Sequence, residues 1–134
     1  MTQSYDRTIS DIEETLGTVP GFLEALPVED LTNEWPTFKK YLVAETEIPP
    51  KYREFIGLAV AANTGCPYCS HFHRGAAQLH GATEEELAEL SFLASYTARY
   101  SAMLHAQEYD LETFKEETAQ IAEQFQTATA EGDD

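Results

Sequence analysis

The two cysteines of the chain, Cys66 and Cys69, lie in the stretch GCPYCSHFH, which also holds His71 and His73. A C-x-x-C pair can form a redox-active disulfide, bind a metal ion or pack as two small apolar side chains. Pro67 favours the first position of a helix, so Cys66 falls at a helix N-terminus. Free backbone N–H groups and the positive end of the helix dipole lower the pKa of a thiol there. The spacing therefore predicts cysteines that react as thiolates.

The two nearby histidines differ in where they fall on this helix. At about 100° per residue, Cys66, Cys69 and His73 form one stripe, whereas His71 lies roughly 200° from Cys69. His73 is therefore the histidine that can take a proton from Cys69 or return one. His71 is predicted to point away from the site.

An acidic residue completes the pattern. The helix that precedes Gly65 and the helix that follows Cys66 are joined by a tight turn, so they should run roughly antiparallel. Glu54 then lies within about one turn of His73 along the shared axis. A carboxylate beside an imidazole fixes its tautomer and raises its basicity. We predict that Glu54 orients His73 and that His73 exchanges protons with Cys69. Cys66 would be the second thiol of the pair.

Such a set of groups suits the reduction of a peroxide. A dithiol that attacks a peroxide needs a thiolate to attack oxygen and an acid to protonate the leaving alkoxide. It also needs a second thiol to resolve the sulfenic acid that forms. The predicted set contains all three groups.

These groups depend on helices for their positions, and helix chemistry dominates the chain. Apolar residues recur at three- and four-residue spacing, and no run alternates convincingly at period two. We predict an all-α domain of about six or seven helices, with Pro36 kinking or restarting the third. The predicted helices cover 8–16, 20–26, 30–45, 51–64, 67–79, 83–106 and 110 to about 126, followed by a frayed tail.

Length and charge limit the possible functions. The chain has 134 residues, which favours a single domain over 1–134. The first residues are polar, and the longest apolar run, FIGLAVAA, is too short to span a bilayer, so a cytoplasmic protein is expected. The formal net charge is −16, with most of the excess acid in the last third. Such a charge repels nucleic acid and anionic membranes, so neither is expected as a partner.

The four site residues also match a known pattern. Glu54, Cys66, Cys69 and His73 form E-x11-C-x2-C-x3-H, which resembles the AhpD-like fold within the carboxymuconolactone decarboxylase family. The segments REFIGLAVAANTGCPYCSHFHRGAAQLHGATEEELAEL and LHAQEYDLETF are similar to that family's core. The resemblance thus covers a core of about 50–114 and, loosely, 19–35. The N-terminal helices within 1–49 and an acidic tail at about 127–134 flank this core.

The resemblance implies a fold, an activity and residue roles. It implies an all-α homo-oligomer, often a trimer or hexamer, with alkyl hydroperoxidase or related thiol–disulfide activity. No cofactor or metal is expected. Cys69 would attack the peroxide, and Cys66 would resolve the sulfenic acid. Glu54 and His73 would relay protons. The implied partners are an organic hydroperoxide and a thiol reductant protein of unknown identity.

One residue departs from the family pattern. The best-known AhpD sequences have a histidine just before the second cysteine, where this chain has Tyr68. A phenol with an ordinary pKa near 10 does not relay protons at neutral pH as an imidazole does. The departure therefore bears on the rate of peroxide reduction and on the physiological substrate.

A second hypothesis is a lyase that acts on a lactone carboxylate. Glu54 and His73 would then be the acid–base residues, and the cysteines would have no role. Arg53 and Arg74 are the nearby cations that could bind the anionic substrate. Dedicated decarboxylases of the wider family lack the C-x-x-C pair, which argues against this reading.

A third hypothesis is a non-catalytic oligomer that senses redox state or binds zinc. Zinc would use Cys66, Cys69 and either His73 or His80. Structural zinc sites have four ligands, and the sequence has no second C-x-x-C or H-x3-H pair. His80 also lies about 16 Å along the helix from Cys69.

Overall fold

Seven α-helices joined by short turns form the described chain, residues 2–131 of a computed structural model. Side-chain exposure is described for residues 4–129. The helices are α1 (Thr2–Leu16), α2 (Gly21–Glu24), α3 (Val28–Val43), α4 (Pro50–Thr64), α5 (Pro67–Leu79), α6 (Glu84–Ala106) and α7 (Leu111–Glu131). No strand occurs between residues 2 and 131, and the predicted all-α fold is confirmed. None of these helices combines the length and hydropathy of a membrane span.

Helices α1 and α3 differ most from the prediction. Helix α1 begins at Thr2 rather than at residue 8, because Tyr5 extends the apolar face that packs on the core. Helix α3 runs from Val28 through Pro36 without a break. Proline removes one backbone hydrogen bond, and the burial of Leu31 and Trp35 on the preceding turns offsets that loss.

The first of two compact units ends at Leu87, and its N-terminal half is a cluster of α1, α2 and α3. The buried side chains of this cluster are Ile12, Leu23, Leu31 and Trp35. Trp35 Nε1 donates to Asp11 Oδ2 at 2.6 Å, and Lys39 Nζ donates to Oδ1 of the same carboxylate at 2.6 Å. The ring of Phe38 stacks on that of Trp35, with centroids 5.9 Å apart. These contacts fix α3 on α1.

The second half of this unit pairs α4 with α5 across a very short turn. Gly65 ends α4 in the left-handed region, with φ of 68°, which residues with a Cβ atom adopt only at a cost. The N–H of Cys66 donates to Ala61 O at 3.0 Å and closes the last turn of α4. Pro67 begins α5 directly afterwards. The two helices therefore pack along each other from this turn.

A capping box begins α6, as the sequence predicts. The N–H of Thr83 donates to Glu86 Oε2 at 2.9 Å, and the N–H of Glu86 donates to Thr83 Oγ1 at 3.1 Å. Glu86 also accepts from Lys51 Nζ at 2.9 Å, which ties the start of α6 to the start of α4.

The second compact unit, from Ala88 on, holds most of α6 and all of the described part of α7. Asp110 caps α7 by accepting from the N–H of Thr113 at 2.8 Å. The helix continues past its predicted end at Gln126 to Glu131. Residues 132–134 of the predicted acidic tail lie outside the described residues. No side chain between residues 88 and 129 is buried. The single domain over 1–134 stays a prediction.

Candidate active site

A partly buried hydrogen bond joins α4 to α5. Glu54 is 5% exposed, and its Oε2 lies 2.7 Å from Nδ1 of His73. A buried carboxylate is costly unless it accepts hydrogen bonds. Because an ionised carboxylate only accepts, Nδ1 carries the proton and donates it. Nε2 is then the nitrogen that can take up and release a proton, so the pair holds His73 in one tautomer for acid–base chemistry.

Gly57, about one turn along α4 from Glu54, provides the space for this imidazole. A Cβ atom built on Gly57 would overlap Cε1, Nε2 and Nδ1 of His73. The ring thus packs directly on the backbone of α4, although a glycine inside a helix costs about 0.5–1 kcal/mol relative to alanine. The sequence analysis missed this residue. The available signal was its spacing of three residues from Glu54, which places both on one face of the helix.

The two cysteines lie at the start of α5 as free thiols. Cys66 occupies the N-cap position, and its Sγ accepts from the N–H of Cys69 at 3.2 Å. Cys66 therefore ends α4 with its backbone N–H and begins α5 with its sulfur. It is half-buried, whereas Cys69 is exposed. Of the two sulfurs, that of Cys69 is the more accessible to a second molecule.

A shared proton distinguishes the two thiols. The S–H of Cys69 donates to Cys66, and together with the backbone N–H groups of Cys69 and Tyr68 this lowers the pKa of Cys66. The same bond raises the pKa of Cys69, because it stabilises the protonated form, and burial and the charge on Cys66 act in the same direction. Of the two thiols, Cys66 is therefore the one that loses its proton first as the pH rises.

A cavity of about 720 Å³ opens beside these groups. It is lined by Leu16, Pro20, Phe22, Phe38, Leu42, Tyr68, Cys69, Phe72 and His73. Among the described residues no hydrogen bond joins His73 to either sulfur. His73 and Cys69 instead face the same cavity, so a small molecule in it can contact both.

The remaining histidines near the site lie apart from this set. His71 is exposed, and His80 forms the C-cap of α5. Between residues 4 and 129 no three His, Cys, Asp or Glu side chains come together as a metal-binding cluster. Tyr68, the residue that departs from the family pattern, is 84% exposed at the rim of the cavity.

Gly57→Ala should displace the imidazole of His73 from Glu54. Helix propensity alone would make this change stabilising, so any loss is due to the clash with the ring. In nitrogen NMR of histidine-labelled protein, the wild-type spectrum should show His73 as the Nδ1–H tautomer. In Gly57→Ala that signal should revert to the mixture typical of an exposed histidine.

Gly75→Ala is the matched control, because nothing lies within 4 Å of a Cβ built at that position of α5. It should leave the His73 signal unchanged. An unchanged His73 tautomer in Gly57→Ala would show that the ring does not depend on that space.

Removing the S–H donor should raise the pKa of Cys66. In the wild type this pKa is lowered, so the thiolate forms at a lower pH than in an ordinary cysteine. In Cys69→Ala the midpoint of thiolate ultraviolet absorbance should move to higher pH. In Cys66→Ala the pKa of Cys69 should fall, because the bond that raises it is gone. If each single variant instead leaves the midpoint of the remaining thiol at its wild-type value, the hydrogen bond between the sulfurs does not set the two pKa values.

Comparison with known proteins identifies the family to which this chain belongs. The model of the carboxymuconolactone decarboxylase family matches residues 29–109, more than half of the chain. The crystal structure of the alkylhydroperoxidase AhpD core from Rhodospirillum rubrum is similar, with a TM-score of 0.70 and 29% sequence identity. That similarity covers 84% of this chain and 86% of the other. No curated protein matches the chain. The chain therefore belongs to the carboxymuconolactone decarboxylase family and has an AhpD-like fold.

Proposed function

We propose that this protein is a thiol peroxidase that reduces organic hydroperoxides through a disulfide between Cys66 and Cys69. The observation that carries the proposal is the hydrogen bond between the buried carboxylate of Glu54 and His73, one turn of α5 from Cys69. This hydrogen bond holds the imidazole of His73, an acid–base group, at the same cavity as the accessible thiol of Cys69. The similarity to an alkylhydroperoxidase core supports the same class of reaction.

The first half of the reaction oxidises the cysteine pair. The proton of Cys69 passes to Cys66, and the Cys69 thiolate attacks the terminal peroxide oxygen. An S–O bond forms, the O–O bond breaks, and protonated His73 donates its Nε2 proton to the leaving alkoxide, which becomes the alcohol. Cys66 then attacks the sulfenic acid on Cys69. The S–S bond forms, and the departing hydroxide takes the proton of Cys66 to become water.

The second half returns the pair to dithiol with two electrons from a thiol reductant protein. Its thiolate attacks the exposed sulfur of Cys69 and releases Cys66. Because the pKa of Cys66 is lowered, its thiolate is the better leaving group of the two. A second thiol of the reductant then resolves the mixed disulfide. The exposure and the proton sharing of the pair thus favour the same direction of attack.

No contact within the site favours the lyase alternative, although the family is named for a decarboxylase. Both arginines that the sequence offered for an anionic substrate bind other groups. Arg74 Nη2 donates to Glu84 Oε2 at 2.8 Å, and Arg53 Nη2 donates to Ala44 O at 3.0 Å. The net charge of −16 adds repulsion for a carboxylate substrate. A lyase would also leave the cysteine pair without a role.

We propose as well that the protein works as a homo-oligomer, with a trimer or hexamer as the expected form. Between residues 88 and 129 no side chain is buried, although apolar residues recur along both helices. On α7 they are Leu111, Phe114, Ile121 and Phe125. Such a stripe is typical of a helix that packs against another surface. A second copy of the chain is the occupant that is always present at matching concentration.

Peroxide treatment should change the mass of the reduced protein in a defined way. One equivalent of cumene hydroperoxide should remove about 2 Da per chain, because two thiols become a disulfide. In Cys66→Ser the sulfenic acid should stay on Cys69, with a gain of about 16 Da. Cys69→Ser should show neither change. A sulfenic acid trapped on Cys66 instead would reverse the two roles, and unchanged masses throughout would refute the peroxidase.

The same assay can test the proton donor with two histidines of α5, one as the test position and the other as its control. His73→Gln should slow oxidation by roughly 10²- to 10⁴-fold, the usual share of general acid–base catalysis. His71→Gln should oxidise at the wild-type rate, because His71 is exposed and lies outside the cavity lining. Equal rates for the two variants would remove His73 from the mechanism.

Light scattering after size exclusion should give the mass of a trimer or hexamer. Ile121→Asp should lower the subunit number, because it places a charge in the apolar stripe of α7. Gln120→Asp adds a similar charge on the same helix, away from that stripe, and should leave the subunit number unchanged. A monomeric wild type at all concentrations would contradict the oligomer.

A further inference from the structure

Arg53 on α4 has no part in the chemistry proposed above. Its side chain is half-buried and reaches the connection between α3 and α4, residues 44–49. Nη2 donates to Ala44 O at 3.0 Å. Nη1 donates to Thr46 Oγ1 and, at 3.4 Å, to Ile48 O. One guanidinium group thus binds three oxygens of a single connection.

These contacts hold the C-terminal end of α3. Ala44 is the C-cap residue of that helix, and the helix dipole favours a cation beside the last carbonyl groups. Thr46 Oγ1 also donates to Ile48 O at 3.2 Å, so the connection is bonded within itself as well as to Arg53. The end of α3 is therefore fastened to the start of α4.

One buried nitrogen shows that this arrangement carries a cost. The Nε–H group of Arg53 is buried and has no hydrogen-bond partner among the described residues. Its desolvation is therefore not compensated by any contact with them. A lysine would avoid that cost, but its single nitrogen cannot present the planar set of donors that the two Nη atoms offer. The guanidinium thus fixes the geometry of the connection at some loss of stability.

This geometry matters because the cavity lies between two pairs of helices. Within the first compact unit α1 packs on α3, and α4 packs on α5. One wall of the cavity includes Phe38 and Leu42 of α3. The opposite wall includes Cys69 and His73 of α5. Leu42 closely precedes the connection 44–49, so the way in which the connection is held decides how far Leu42 lies from the reacting groups.

We propose that Arg53 is a positioning residue, which sets the α3 wall of the cavity against the reacting groups of α5 by holding the α3–α4 connection. The inference rests on the proposed function and adds to it a residue outside the cavity lining. The hydrogen bond between Glu54 and His73 involves no atom of Arg53. Loss of the guanidinium should therefore weaken the binding of a ligand in the cavity and leave the acid–base group in place.

Single-turnover oxidation of the reduced protein separates binding from chemistry. At rising concentrations of cumene hydroperoxide it gives an apparent dissociation constant and a limiting rate. Arg53→Ala should raise the dissociation constant roughly tenfold, because the substrate itself must then order the α3 wall. The limiting rate should stay within about twofold, because the reacting groups lie on the α4–α5 pair.

A second variant weakens the same contacts and keeps the arginine. Thr46→Val removes one acceptor of the guanidinium at nearly constant side-chain volume. It should raise the dissociation constant by a smaller factor than Arg53→Ala. Because it leaves Arg53 bound to Ala44, this variant decides the question if Arg53→Ala does not fold.

Lys40→Ala is the matched control. Lys40 is an exposed cation in the last turn of the same helix α3, and it lies outside the cavity lining. The variant changes the net charge by the same amount as Arg53→Ala and should keep both wild-type constants. Arg53→Lys should restore part of the affinity, because an ammonium group can still bind one of the three acceptors.

A binding measurement needs no turnover. In the reduced protein, 2-phenyl-2-propanol, the alcohol produced from cumene hydroperoxide, should shift the methyl NMR signals of Leu42. Arg53→Ala should weaken this binding by roughly tenfold. Nitrogen NMR of the same variant should show His73 still as the Nδ1–H tautomer, because Glu54 continues to hold the ring.

The outcomes separate this inference from the proposed function. Weaker binding with an unchanged limiting rate and tautomer supports the positioning role. A lower melting temperature with unchanged affinity in Arg53→Ala and Thr46→Val overturns it and leaves the peroxidase standing. An equal loss of affinity in Lys40→Ala, or a changed His73 tautomer in Arg53→Ala, also contradicts it.

The wild type itself supplies the remaining outcomes. If peroxide oxidises no cysteine, the proposed peroxidase fails, and the alcohol still shows whether Arg53 sets the cavity. If the alcohol does not bind and the oxidation rate does not saturate, the cavity has no ligand to be positioned, and the role of Arg53 is refuted.

Discussion

A carboxylate buried between two helices sets the geometry of the whole site. Glu54 is 5% exposed, and its hydrogen bond to His73 spans from α4 to α5. A carboxylate in such a place destabilises the fold unless a donor reaches it. The two helices must therefore pack closely, and Gly57 removes the side chain that would hold them apart. One interaction thus decides the register of α4 on α5 and the tautomer of the imidazole.

The two cysteines have the same intrinsic chemistry, but the proposed mechanism needs them in different roles. Their environments separate them. Cys66 is half-buried, caps α5 and has a lowered pKa, whereas Cys69 is exposed, has a raised pKa and lines the cavity. The family resemblance assigns the attack on the peroxide to Cys69, and Cys69 is the cysteine that lines the cavity. Because Cys66 is the thiol with the lowered pKa, a proton transfer within the pair precedes the attack in the proposed mechanism.

How much the sequence predicts depends on whether the signal is local. The E-x11-C-x2-C-x3-H spacing places Glu54 near His73 because the two helices are antiparallel and joined by a short turn. Residues at similar separations from that turn therefore lie side by side, and the structure has that contact. The cavity could not be predicted, because Leu16, Phe22 and Leu42 come from distant parts of the chain and no spacing relates them to Cys69. The unequal pKa values also escaped prediction. Helix position alone favours both thiolates, and the hydrogen bond between the sulfurs decides which one forms.

The N-cap role of Cys66 has an energetic consequence for the redox pair. As a thiolate, its sulfur accepts the N–H of Cys69 in a charge-assisted hydrogen bond at the start of α5. In a disulfide the same sulfur carries no charge and is a weaker acceptor. The first turn of the helix is therefore better stabilised in the dithiol than in the disulfide. A fold that stabilises the reduced form raises the reduction potential of the couple. The helix that positions the cysteines would thus also make the proposed disulfide easier to reduce.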